Sequence, residues 1–181
     1  IMKNIILVLL LACSFSGYSQ SLKYGKTKAD SFRVQINSWT GMANKDGSEG
    51  LWYQDTLWNL MGWLGGSASI DSIHYSLDTG RTWVFAIRFP GGARHTYGFV
   101  QNKGDYYVVG TDVFYSPMGK SDVWRMGNSP RTWTNINNSP LFGNRVFQQV
   151  VSLDGYMYLL GGQNTYTGAS PTIFRDVWKS A

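Results

Sequence analysis

A unit of about fifty residues comes round again in this chain, and nothing else constrains its fold as strongly. From Ser76 the sequence reads SLDTGRTW, ending at Trp83; from Met126 it reads MGNSPRTW, ending at Trp133. Arg-Thr-Trp recurs in register, at Arg81–Trp83 and Arg131–Trp133. Upstream lie related strands, Asp71-Ser72-Ile73-His74-Tyr75 and Ser121-Asp122-Val123-Trp124-Arg125, with a third copy at Arg175-Asp176-Val177-Trp178-Lys179. A repeat of this length is one supersecondary unit. It cannot bury both faces of its own sheet, so neighbouring units must stack.

The units read as strands. Leu57–Gly62, Asp105–Gly110 and Gly155–Gly162 are apolar runs that end on glycine. A side chain there would clash with a neighbouring backbone or forbid the turn. Tyr97–Gln101 and Val146–Val151 precede the last two runs, and each opens after an arginine, Arg94 or Arg145. The order within a unit is then an innermost strand, a Gly-ended strand, the Asp-Val-Trp type strand and the Thr-Trp strand. Composition agrees. The chain has 21 Gly, 8 Trp, 11 Tyr and 9 Phe, and its eleven acids are ten Asp and a single Glu, Glu49. That is a strand-and-turn vocabulary.

Lys3 and Asn4, the apolar run Ile5–Ala12 and the small residues before Ser19 predict a signal peptide over residues 1–20, too short to span a bilayer. Export places the protein in the periplasm, at the cell surface or outside a Gram-negative bacterium. The single cysteine, Cys13, lies in this leader, within Leu10-Leu11-Ala12-Cys13. That stretch resembles a lipoprotein box, so a lipid on Cys13 is an alternative link to a membrane. Cleavage near Ser19 removes the cysteine, and with it any disulfide, thiolate metal site or thiol nucleophile. Residues 21–31 are a polar linker. The formal charge of +5 is spread as single residues, densest at Lys23, Lys26 and Lys28 in that linker, with no basic stripe for nucleic acid. Phe32, Val34 and Ile36 alternate with polar residues up to Trp39, and this lone strand, 32–39, is expected to close the last sheet of a ring.

SLDTGRTW resembles the Asp-box, a turn joining the last two strands of a propeller blade. The resemblance implies that Asp78 and Ser76 hold turn amides, that Gly80 takes a positive φ, and that Thr82 and Trp83 complete the motif, with Trp83 and Trp133 packed between sheets. In the second copy Asn128 and Pro130 replace Asp and Gly, so the turn chemistry changes there. Ser121–Gly162 resembles kelch-type repeats of bacterial exported proteins, a superfamily that includes the central domain of galactose oxidase. The expected fold is all-β: a β-propeller fragment of about 2.5–3 four-stranded blades of kelch and Asp-box type, incomplete at the C-terminus, with blades at about 50–93, 94–144 and 145–181.

Fold does not name a function. Ile87-Arg88-Phe89-Pro90 is similar to a sialidase arginine motif, but it follows the Asp-box-like turn and its residue order differs, so it reads as a strand end. The radical site of galactose oxidase needs a cysteine, which the residues after the leader lack. Two histidines, His74 and His95, suggest no metal site, and no cofactor is expected. The expected role is a non-catalytic binding or scaffold module for a glycan or a protein. A carbohydrate-active enzyme of sialidase or sialic-acid mutarotase type is the alternative. Ligand contacts are expected around the channel: Arg94, His95 and Arg145 at inner-strand starts, and Tyr115, Asn164 and Tyr166 in the loops Thr111–Lys120 and Gln163–Thr172.

Overall fold

The computed structural model describes residues 39–66, 69–111, 120–164 and 172–181. The protein is all-β: no helix occurs among the described residues, and the strands form three antiparallel sheets. The first sheet is a four-stranded meander of β1 (Glu49–Tyr53), β2 (Thr56–Trp63), β3 (Ser69–Ser76) and β4 (Val84–Arg88). The second repeats it with β5 (Gly98–Asn102), β6 (Asp105–Thr111), β7 (Lys120–Met126) and β8 (Trp133–Asn137). The third has β9 (Gln149–Leu153), β10 (Tyr156–Leu160) and β11 (Val177–Lys179), with β10 in the middle. Residues 32–38 of the candidate closing strand, 32–39, lie outside the described residues. Thr40, just after it, bonds through its backbone to Arg81 and Trp83, beside the turn into β4 of the first sheet.

Strand alternation explains how the sheets stack. On β6, Tyr106 and Val108 join the core shared with the first sheet, where Leu51, Trp58, Leu60 and Ile73 are buried. Their neighbours Tyr107 and Val109 turn the other way and meet Leu159, Val150 and Trp178 of the third sheet. A period of two places successive side chains on opposite faces, so the second sheet is buried on both. The third sheet leaves Val151, Leu153, Leu160 and Val177 exposed on its far face.

The register is the same in all three sheets. Leu60 pairs with Ile73, Val109 with Val123, and Leu160 with Val177. A residue of positive φ follows in each case: Met61 at 47°, Gly110 at 62° and Gly161 at 58°. This kink interrupts regular pairing with a register shift in the first two sheets, and the ladder of the third ends there. The first unit manages it with a methionine, at a conformational cost that the two glycines avoid.

The turn between β3 and β4 is tied by side chains. Ser76 Oγ accepts from the Gly80 amide at 2.8 Å and donates to Asp78 at 2.8 Å. Asp78 accepts from the Thr82 amide at 2.8 Å and from the Thr82 hydroxyl at 2.6 Å. Gly80 has φ 96°. These bonds, the Thr82 hydroxyl first, hold the Asp78 carboxyl down at about 2. Between β7 and β8 the carboxylate is absent, and the Ser129 carbonyl takes its place, accepting from the Thr132 amide and hydroxyl. Both turns keep the same indole bond: Trp83 Nε1 donates to the Gly80 carbonyl and Trp133 Nε1 to that of Pro130. Both tryptophans are only half-buried. Trp133 packs edge-on against Phe89, 5.2 Å away in the first unit, whereas Trp83 lies outside the shared core.

Candidate functional site

Two arginines expected to meet a ligand are turned inward. Arg94 has no exposure, and its guanidinium grips Asp122 with two nitrogens, at 2.7 and 2.8 Å. It also donates to the carbonyls of Gly91 and Gly110. The Trp124 indole donates to the same carboxylate at 2.8 Å. Arg145, buried in its turn, repeats the pattern in the next unit. It bonds both oxygens of Asp176 and the carbonyls of Phe142 and Gly161, while Trp178 donates to Asp176 at 2.7 Å. Arg145 pulls the Asp176 carboxyl down to about 2. In each of these two units a carboxylate, buried at Asp122 and 39% exposed at Asp176, accepts a planar fork and an indole N–H and latches the start of the unit to its third strand.

The other expected site residues do not converge. His95 is buried and stacks on Trp63, with ring centroids 5.7 Å apart. Asn164 closes its own loop by accepting from the Thr172 amide at 3.0 Å. Tyr115 and Tyr166 lie outside the described residues. Among the described residues, no group of three or more His, Cys, Asp or Glu side chains is placed to hold a metal.

What the structure does form is a cleft of about 510 Å³ where the end of the first sheet meets the second. Pro90 and Gly91, just past β4, make one wall. Ser121, Asp122 and Trp124 at the start of β7 make the floor, and Asn135, Asn138, Ser139 and Asn144 make the far wall. Trp124 and Asn135 are cross-strand partners and therefore share a face. Gly91 is required by close approach, because a methyl there would strike Arg94, Phe89 and Trp124. Among the described residues, the side chains of Asn135, Asn138 and Asn144, which line the cleft, have no hydrogen-bond partner. Among the described residues of the lining Asp122 is the one carboxylate, and both of its oxygens are bonded by Arg94 and Trp124.

The cleft lies at the end from which β4 and β8 lead onward, the face expected for a ligand, but its residues differ from those expected. The asparagine cluster in Asn135–Asn138 was the available signal, directly after the recurring Thr-Trp. Of its three asparagines, Asn137 accepts from the Ser139 amide in the turn, and the other two line the cleft. No protein-family model matches this chain, and no curated protein matches it.

Proposed function

We propose that this chain is part of an exported kelch-type β-propeller with Asp-box-like turns, and that it binds a neutral glycan in the cleft beside Trp124. The repeated sheets, stacked face to face in sequence order, support the blade reading. The observation that carries the function is the lining of the cleft: three asparagine amides with no partner among the described residues, and two serines, around an indole. Each amide offers donors and an acceptor together, which matches vicinal sugar hydroxyls. The indole supplies a flat apolar surface for a sugar ring.

The same lining favours binding over catalysis. Hydrolysis of a glycoside calls for a carboxyl free to move a proton. Asp122 is held as an ion pair with Arg94, and both of its oxygens accept hydrogen bonds.

The test is a glycan array probed with the full-length protein and with an Asn135→Ala/Asn144→Ala variant. The proposal expects defined neutral glycans to bind the first and to be lost from the second, with Tm unchanged. Turnover of a glycoside substrate, or equal glycan binding by the variant, would refute it.

A further inference from the structure

The first unit carries an altered version of the latch. Lys45, Arg94 and Arg145 each stand sixteen residues before the kinked position at Met61, Gly110 or Gly161. The register above aligns Ser72 with Asp122 and Asp176, and His74 with Trp124 and Trp178. Arg–Asp–Trp has thus become Lys45–Ser72–His74, and the carboxylate at the centre is gone. The donors around it remain. Lys45 Nζ and His74 Nδ1 are buried atoms without a hydrogen-bond partner. Burial brings Lys45 down to about 8, and burial followed by the Lys45 charge lowers His74, so the two groups feel one another.

Space accompanies the missing group. A cleft of about 350 Å³ opens over Ser72 and His74, walled by Gly41, Met42 and Ala43 and by Leu64, Ile70 and Phe85. It is the counterpart in the first unit of the cleft beside Trp124, one repeat earlier. Asp71, at its rim, is neutralised by Arg88 at 2.7 Å, so it opposes a second anion only weakly. Buried polar atoms without partners mark a place for a missing acceptor.

We propose that this cleft binds a carboxylate from outside the chain, which takes the place held by the aspartate in the next two units. The carboxylate accepts from His74 in the lining and from Lys45, which stands at the position Arg94 and Arg145 hold in the next two units, and its apolar body rests on Leu64, Ile70 and Phe85. The source is either a free small carboxylic acid or the C-terminus of a peptide. This site is independent of the glycan cleft, and either reading can fail alone.

The experiment follows the His74 ring by NMR while the full-length protein is titrated with acetate, and separately with a short apolar peptide bearing a free or an amidated C-terminus. Saturable shifts with acetate or with the free-acid peptide, and none with the amide, are expected. Preference for the peptide by tenfold or more over acetate assigns the site to chain ends, and the reverse assigns it to free acids. Ser72→Asp supplies the carboxylate from within, so it should weaken carboxylate binding at least tenfold and raise Tm by several degrees. Lys45→Met should weaken binding to the same extent without that rise. Carboxylate binding unchanged in both variants, or no binding by the parent at millimolar acetate and peptide, would overturn the proposal.

Discussion

Removing the Asp122 carboxylate should be among the most damaging single changes in the described fold. The group is 11% exposed and receives three hydrogen bonds, two from Arg94 and one from Trp124. Arg94 has no exposure at all. Asp122→Ala therefore leaves a guanidinium buried without its counter-charge, which costs about 3–5 kcal/mol. For a protein held by about 5–15 kcal/mol, that is a large share of the total. Removing both charges is a different perturbation. In an Arg94→Met/Asp122→Leu variant no buried charge is stranded, but the Trp124 indole and the Gly91 and Gly110 carbonyls each lose a partner, worth about 1 kcal/mol apiece. Urea denaturation of the two variants and the parent, analysed with a common slope, gives the comparison. The double variant should recover part of the loss. If Asp122→Ala falls within about 1 kcal/mol of the parent, or the double variant is as unstable as the single, the latch is not what holds the unit together.

Three further outcomes follow from the same geometry. Burial pushes the Glu49 carboxyl up to about 7. Its native state then binds more protons than the unfolded chain between the usual carboxylate value and pH 7, so stability falls as pH rises through that window. Glu49→Gln should accordingly stabilise by up to about 3 kcal/mol above pH 7 and be neutral near pH 4, as read from Tm across that range. Asp78 and Asp176 are both held at about 2, and their contribution is present above the usual aspartate value and lost as pH falls toward 2. Asp78→Asn should flatten the acid limb of a Tm-versus-pH curve while leaving glycan binding intact. Trp133→Ala should destabilise more than Trp83→Ala, because only Trp133 packs into the core shared by the first two sheets, and it should cost less than the ~3–5 kcal/mol of a fully buried tryptophan.

The strands were legible because their signal is local. Alternating apolar residues and recurring Arg-Thr-Trp mark strand and turn directly, and the register of Leu60, Val109 and Leu160 follows from that periodicity. The inner strand of the first unit was harder to see, since Glu49 and Gly50 open it and Trp52 faces outward. Arg94 and Arg145 illustrate what one sequence hides. Their position at strand starts suggested a ligand, but their partners are 28 and 31 residues away, on a strand that only the folded sheet brings alongside. The same holds for His95, whose stacking on Trp63 depends on two chain segments in different units. The altered latch was written in the repeat as Lys45, Ser72 and His74, yet it gains meaning only once Arg94, Asp122 and Trp124 are seen in contact.

The most direct test of the glycan cleft is the pair of indole N–H resonances of Trp124 and Trp178 in a glycan titration of the full-length protein. Both indoles donate to a latch aspartate, at 2.8 and 2.7 Å, so each reports its own unit in the same chemical setting. Trp124 lines the cleft with Asn135, Asn138 and Asn144. A saturable shift of the Trp124 signal with a neutral glycan is expected while Trp178 stays still. A Trp124 signal that does not move when glycan binds, or a shift shared equally by Trp178, would contradict it.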